Sequence, residues 1–569
     1  MSDAADAITE QVVQSALIHA TLQMKGLVMR AAYSPLWKEA GDMACALLDK
    51  HGRLIAQGPG DIPGMLATIP LTVQSMIDEG CEFQPGDVIL HNDPYRGSNH
   101  LPDVLMAKPV FVDTRLIGFS AVRGHWLDVG GSTPGSFNAA MGDIHAEGLR
   151  FGPVYLYEAG VYNRTLHHIL ELNLRRPSDR FGDINAQLAG CDMGERRLLE
   201  VATRYGVDKL EAIIERFLEN SATLMRTALT RIPNGTYEFT DYLDLDGIGG
   251  EDIRLHCALT AHDGSVTVDF EGTSPQSKTG LNAPWSVTAA GVYFALKSFV
   301  DADTPSNSGT YAPVEVKAPA ASAVNAAYPA ATIVGSTEVG ARVVDVVWGA
   351  LNKALGGSEL AFGNGSSCVV SLSGVDERYD DARQFIIGEV NGAAGGASAQ
   401  CDGINAMRSG LGNAGTTSAE GLELRFPLRI ESHEIVPDTG GAGQFRGGCA
   451  VRRTFRLSQD TLVTIAMDRG RYAPEGAAGG RPGAVADASV ELHGDVEALP
   501  TKNPPTQWPA DTLVTVTSAG GGGVGTPRSR PPQAVLADVA DGYVSAAAAV
   551  EIYGLAEDPL SPSTEGISR

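Results

Sequence analysis

The chain has 569 residues, 43% hydrophobic and 20% charged, which is a globular composition long enough for about two to four domains. A formal net charge of −25, with basic residues gathered only in isolated pairs such as Arg175-Arg176 and Arg452-Arg453, argues against nucleic-acid and anionic-membrane partners. Seven cysteines with no CxxC spacing argue against a disulfide framework or a thiolate zinc site. The polar start "MSDAADAITEQ" and the lack of a long apolar run predict neither signal peptide nor transmembrane helix, and the expectation is a cytoplasmic protein.

In chain order, residues 5 to 32 predict one helix, with Ile8, Val12, Ala16, Ile18, Leu22, Met24 and Leu27 near a 3.6-residue period. "SPLWKEAGDMACALLDKHGRLIAQ" predicts a turn and then a hairpin reversing at "DKHG" (49–52). "GDVILHNDPYRG" predicts a short strand ending at His91 and leaving through Asn92-Asp93-Pro94, strong loop chemistry. "AKPVFVD" and "LIGFSAVRGH" predict two strands across a turn at 113–115, and residues 195–232 predict two helices broken at Gly206. Alternating strands follow from "GTYEFTDYLDLDG" to "GSVTVDFEGTS", then helices in "SVTAAGVYFALKSFVD" and "EVGARVVDVVWGALNKAL". Beyond about 420 the chain is β-rich, with strands predicted in "LELRFPLRIESHEI", "AVRRTFRL", "TLVTIAMD", "ASVELHG" and "DTLVTVTS". The expected fold class is therefore α+β: a large multi-lobed mixed fold with antiparallel sheets, helical insertions and a β-rich C-terminal region. Its expected divisions are 1–235, 236–420 and 421–569.

The chemistry concentrates early. Of 12 histidines, His91, His100, His125 and His145 fall in one 55-residue window with Asp93, Asp103, Asp128, Asp143 and Glu147. Imidazole plus carboxylate suits Zn, Mn or Fe(II). His100 and Asp103, three apart, face one ion if the chain turns tightly there. His125 lies beyond a strand pair that could fold back on them. Asp128, three residues after His125, can orient that imidazole, and a strand-end turn would use the same residues. Asp42 enters an apolar strand, where a carboxylate needs either a partner or a capping role.

Other motifs are weaker. The glycine stretches 392–398, 441–448 and 520–525 lack the spacing of a nucleotide loop and predict tight turns. "DLDG" (244–247) is no calcium loop, because Ile248 and Leu255 occupy ligand positions. There is no GxSxG elbow.

Over nearly its whole length the chain resembles the hydantoinase B/oxoprolinase family. The resemblance rests on "SPLWKEAGD" (34–42), "GDVILHNDPYRGSNHLPDV" (86–104), "GHWLDVGGSTPGS" (124–136), "IHAEGLR" (144–150), "LNAPWSVTAAGVYFAL" (281–296), "RVVDVVWGAL" (342–351), "LELRFPLRIE" (422–431) and "GGAGQFRGGCAVRR" (440–453). It implies a divalent ion (Zn, Mn or Fe) on Asp42, His100, Asp103 and His125, choosing His100 over His91. It implies an ATP-dependent hydrolase of cyclic amides (hydantoin, oxoproline or lactam) that works as a hetero-oligomer. ATP would be bound by a hydantoinase A-like partner of actin-like fold, which phosphorylates the substrate's carbonyl oxygen. Asp128 is the first choice for base or supporting group, with Glu147 and Asp93 behind it. The alternative within the resemblance is a subunit of an acetone- or acetophenone-type carboxylase. The chain departs from the family at Asp61, Met65 and Trp126, which stand where histidines are usual.

Overall fold

A computed structural model describes residues 2–555, apart from 245–249, 301, 303, 358–359, 381–382 and 409. Most of "DLDG" and its Ile248 thus lie outside the described residues. No described helix is long and apolar enough to cross a membrane.

Helix α1 (Ser2–Ala31) opens the chain. The sequence period placed its buried stripe about one residue off. Val13, Leu17, Ala20, Met24 and Val28 are buried, whereas Ile8, Val12 and Leu22 are exposed. The reason is its partner, helix α2 (Pro177–Tyr205), which begins eighteen residues before the expected start. Gly190 and Gly194 of α2 present bare backbone to Val28 and Met24, so the two helices meet along that line. Gly206, at φ +83°, then separates α2 from α3 (Val207–Leu229) at the expected break.

The first sheet has seven strands: β1 (Met43–Asp49), β2 (Leu54–Gln57), β3 (Val88–His91), β4 (Asp103–Val112), β5 (Arg115–His125), β6 (Val154–Glu158) and β7 (Val161–Tyr162). Their order is β2-β1-β5-β4-β3-β6-β7, antiparallel throughout. Both faces are covered. Met43, Cys45 and Leu47 of β1 join the core under α1 and α2. Ala44, Ala46 and Leu48 join the core under the helix Thr68–Asp78. A strand buried on both faces reads as a continuous apolar run, which is why "ACALL" shows no alternation.

A second sheet, in the order β11-β10-β9-β8, contains β8 (Gly235–Leu243), β9 (Ile253–His262), β10 (Ser265–Asp269) and β11 (Val314–Lys317). Helices α4 (Trp285–Val300) and α5 (Gly340–Ala354) share its core. A π-helical turn, Gly335–Val339, leads into α5.

The C-terminal part holds two sheets. One has the order β13-β12-β16-β19 and the other β14-β15-β20-β17-β18. Their strands are β12 (Val369–Asp376), β13 (Arg383–Val390), β14 (Leu428–Ile435), β15 (Val451–Leu457), β16 (Thr461–Ala466), β17 (Asp487–Leu492), β18 (Asp495–Leu499), β19 (Lys502–Trp508) and β20 (Leu513–Thr517). The first of these sheets draws strands from both sides of residue 420. Strand β19 was not expected, because "KNPPTQW" carries two prolines; it is an edge strand, where proline is tolerated. "LELRF" is not strand: Ala419–Arg425 is a helix whose first turn is capped by Ser418 Oγ, accepting from Gly421 N at 3.2 Å.

The glycine stretches are not tight turns. Gly525, at φ +77°, is the exception; none of Gly395, Gly396, Gly441, Gly447, Gly448 or Gly520 to Gly523 has a positive φ. They are extended segments bonded to one another: Gly448 N donates to Gly395 O (2.9 Å), Gly521 N to Gly448 O (2.9 Å) and Gly441 N to Gly521 O (2.7 Å). A Cβ on Gly521 would fall onto the carbonyl oxygen of Gly395, so close backbone approach, not turn geometry, demands glycine there.

Candidate metal centre

Register brings the site together. Asp103, the first residue of β4, pairs with His125, the last of β5, and Gly124 pairs with Met43 of β1. Asp42, just before β1, therefore lies at the same sheet end, and its carbonyl accepts from His125 N at 3.3 Å. His100 enters from the loop between β3 and β4. Asn92 holds that loop down: its Nδ2 donates to Leu101 O (2.9 Å) and Leu149 O (2.8 Å), and its Oδ1 accepts from Phe151 N (2.8 Å).

Three ligating atoms converge. His100 Nε2 lies 3.1 Å from Asp103 Oδ1 and 3.2 Å from His125 Nδ1, and His125 Nδ1 lies 3.1 Å from Asp103 Oδ1. His100 and Asp103 are each 2% exposed and His125 is 6% exposed. His100 Nδ1 sits 2.7 Å from Ile333 O. A carbonyl only accepts, so Nδ1 carries the proton and the Nε2 lone pair faces Asp103 and His125. Two imidazole nitrogens and a carboxylate oxygen packed this closely, away from water, fit a divalent ion between them. Asp42, 7% exposed, lines the same cavity but stands outside this tight group.

The electrostatics of the group follow from burial and from its mutual contacts. Burial pushes Asp103 up, but His100 and His125 overcome it and hold the carboxyl well below the usual carboxylate range. For His100 the same competition, burial against Asp103, ends with the imidazole raised. Burial raises Asp42 against the pull of His125 and Arg408.

A supporting layer surrounds the group. Asn99 Nδ2 donates to Asp103 Oδ2 at 2.7 Å, while its Oδ1 faces Arg123 Nη1 at 3.5 Å. Arg123 is fully buried, also donates to Ser98 Oγ (3.0 Å) and Thr72 Oγ1 (2.6 Å), and is lowered to about 10 by burial. Glu147, fully buried, accepts through Oε1 from Thr332 N and from Ile333 N (2.8 Å), so it holds in place the residue whose carbonyl orients His100. Burial pushes its carboxyl up to about 8.

The sequence-predicted residues therefore divide. His100, Asp103 and His125 meet, and Asp42 adjoins them. Asp128 turns away: its carboxylate accepts from Gly130 N, Gly135 N and Arg175 Nη1 (2.9–3.0 Å) beside a different cavity. Asp93 accepts from Tyr95 N (3.1 Å) at the start of a short 3-10 turn. His91 is buried at the end of β3, and its Nδ1 accepts from Asp93 N at 3.2 Å. His145 contacts Tyr328 Oη at 3.0 Å. Of the family departures only Met65 lines the metal cavity. Asp61 pairs with Lys25 (2.9 Å), and Trp126 points to Gln187 Oε1 (3.1 Å). Asn99, the Ile333 carbonyl, Ser336 and Arg408 were not foreseen. Asn99 adjoins His100 inside the motif, whereas the others carry no local signal.

The cavity, about 50 Å³, is bounded by Leu36, Ile62, Met65, Leu127 and Phe137 from the N-terminal part of the chain, by Ser336 and Thr337 of the π-helical turn, and by Val369, Ser371, Gly388 and Val390 of β12 and β13. Mostly apolar walls with a few convergent polar groups are the form of a small-molecule site.

The profile of the family described as "Hydantoinase B/oxoprolinase" matches residues 6–527. A protein of Pseudomonas sp. (strain NS671), provisionally named as the B component of a D-/L-hydantoinase, is 32% identical, with 97% of this chain and 95% of that one aligned. The beta component of the caprolactamase of Pseudomonas jessenii is 30% identical over 97% of this chain and 96% of its own. The crystal structure of ATP-dependent caprolactamase from P. jessenii superposes with a TM-score of 0.89 at 30% identity, covering 97% of this chain and 96% of that one. Nucleotide-free acetone carboxylase superposes at 0.86 with 20% identity, covering 96% of this chain and 79% of that one, a likeness of fold.

Proposed function

Since this chain belongs to the hydantoinase B/oxoprolinase family, we propose that it is the metal-holding catalytic subunit of an ATP-dependent hydrolase of cyclic amides. Its substrate would be a hydantoin, oxoproline or lactam whose carbonyl oxygen an ATP-binding partner has phosphorylated. The observation that carries this is the convergence of His100 Nε2, His125 Nδ1 and Asp103 Oδ1 on the wall of a largely apolar cavity. His100, Asp103 and His125 would hold the ion, with Asp42 as the fourth group. Bound there, a divalent ion would supply Lewis acidity toward an oxygen and lower the pKa of water.

The chain's own residues do the rest. Ile333 O keeps the proton of His100 on Nδ1, and Glu147 keeps Ile333 in place. Asn99 directs Asp103, leaving its Oδ1 toward the histidines. Leu36, Ile62, Met65, Leu127 and Phe137 exclude bulk water and suit an apolar ring. An amide is a poor electrophile, and phosphorylation of its oxygen gives the carbon a good leaving group. That need explains why a cavity without any nucleotide loop would serve an ATP-dependent reaction. The ketone-carboxylase alternative rests on a neighbour of similar fold only.

The test is co-purification with the ATP-binding partner, metal analysis, and ATP turnover with hydantoins, 5-oxoproline and caprolactam. Substrate-stimulated turnover without bicarbonate is expected. Strict dependence on bicarbonate with a ketone would replace hydrolysis by carboxylation. A His100→Ala chain that keeps full metal and full activity would overturn the site.

A further inference from the structure

Among the described residues lining the metal cavity, Arg408 is the one lysine or arginine. Its Nη2 donates to Ser367 Oγ at 2.8 Å, and Ser367 Oγ in turn donates to Thr337 O at 3.2 Å. Its Nε is buried and has no hydrogen-bond partner among the described residues. No described carboxylate lies within ion-pairing distance of it, although it lines the same cavity as Asp42 and Asp103. An unpartnered Nε is shared by the buried Arg342 and Arg453, but those two guanidinium groups are paired with carboxylates, Arg342 with Asp468 at 2.6 Å and Arg453 with Glu389 at 2.8 Å, whereas the fully buried Arg123, like Arg408, bonds to hydroxyls.

A charge balance of the cavity gives this meaning. With a divalent ion on the histidine–aspartate group, the negative charges of Asp42 and Asp103 are cancelled. The half-buried Arg408 guanidinium then has no carboxylate left to balance it among the described residues lining the cavity. A cation so placed favours an anionic ligand, and the planar fork of arginine is suited to an oxyanion.

We infer that Arg408 is a specificity-determining residue that receives an oxyanion group of the substrate inside the metal cavity. This deepens the proposed function and rests on it for the charge balance. The ligand class is a small cyclic molecule carrying either a phosphoryl group, as a phosphorylated amide would, or a carboxylate on the ring.

Calorimetric titration of the full-length chain with inorganic phosphate, and separately with acetate, tests this, run on metal-loaded and chelator-stripped protein with metal content measured throughout. The parent chain should bind one of the two anions; phosphate alone marks a phosphoryl substrate, and acetate alone a ring carboxylate. Arg408→Gln should weaken that binding by about tenfold or more, with Arg408→Lys intermediate and the metal content unchanged in both. Three results overturn the inference: no binding of either anion by the parent, binding equally tight in Arg408→Gln, or loss of metal in Arg408→Gln, which would make Arg408 only the counter-charge of Asp42. Binding to the metal alone survives in Arg408→Gln and so counts against it. If the parent holds no metal, the metal reading fails by itself, and the stripped-protein titration still decides Arg408. Unchanged circular dichroism and thermal unfolding of both variants exclude misfolding.

Discussion

Asn99→Ala is the sharpest probe of the metal centre, because Asn99 touches a proposed ligand without being one. Its Nδ2 donates to Asp103 Oδ2 at 2.7 Å, and its Oδ1 faces the buried guanidinium of Arg123. Truncation removes the only donor hydrogen-bonded to Oδ2 among the described residues, leaving a buried carboxylate oxygen bare. A hydrogen bond to a charged group contributes about 1.5–3 kcal/mol, and each 1.4 kcal/mol is a factor of ten in an equilibrium. Loss of such support around a metal ligand accordingly weakens metal binding by about 10–100-fold. Proton competition should grow as well, since the carboxylate loses a donor that favours its charged form. The assay is competition with a chelator of known affinity, followed at neutral pH and again in mildly acidic buffer, on chain whose circular dichroism matches the parent. Asn99→Asp should be worse than alanine, because it sets a second carboxylate against Asp103. A folded Asn99→Ala chain with the parent's metal affinity at both pH values would refute both the relay and the assignment of Asp103.

Three further expectations can be checked. In the metal-free chain His100 titrates above its ordinary value and Asp103 below, so protons compete with metal at and above about pH 6.5; chelator-buffered affinity should rise with pH through that range and fall below it. Glu147 titrates at about 8 instead of 4.5, so the fold favours its protonated form: that contribution is complete below pH 4.5 and is lost as pH rises through about 8. Glu147→Gln cannot titrate, so urea midpoints of parent and variant, both metal-free, should diverge in the variant's favour over that window, and parallel curves would count against the burial argument. Gly521→Ala should cost about 1–3 kcal/mol or more, because its Cβ meets the Gly395 carbonyl, while Gly60→Ala, facing open space, should stay within about 0.5 kcal/mol.

Period and turn chemistry made the first sheet legible. "DKHG" and the turn at 113–115 set two hairpins, and from those the end of β5 must return His125 toward Asp103. The histidine–aspartate half of the site was thus readable as a candidate, and the resemblance selected His100 from His91 within it. What stayed hidden depends on contacts across hundreds of residues. Ile333 meets His100 through a main-chain carbonyl, which carries no side-chain signal. Arg408 lies in a loop with no period, and Asp128 looks like a ligand's neighbour until Arg175 is seen to occupy it. The glycine segments misled for a related reason: a sequence cannot distinguish a glycine needed for a positive φ from one needed because another backbone lies against it.

Those glycine segments also govern when the site can come into being during synthesis. Val390 and Arg408 bracket the segment containing Gly395, which is bonded to Gly448; Gly448 accepts in turn from Gly521, synthesised long after Gly395. Contacts this distant along the chain form late, since closure of the long loop precedes any return from it. The histidines and aspartates at the start of the chain therefore leave the ribosome well before the far wall of their cavity exists. A fragment ending near residue 420 would carry all four proposed ligands and Arg408, yet lack the strands that hold β12 and Gly395 in place. Any arrangement that splits this chain in two should divide it elsewhere, or bring both pieces together before metal and substrate can be received.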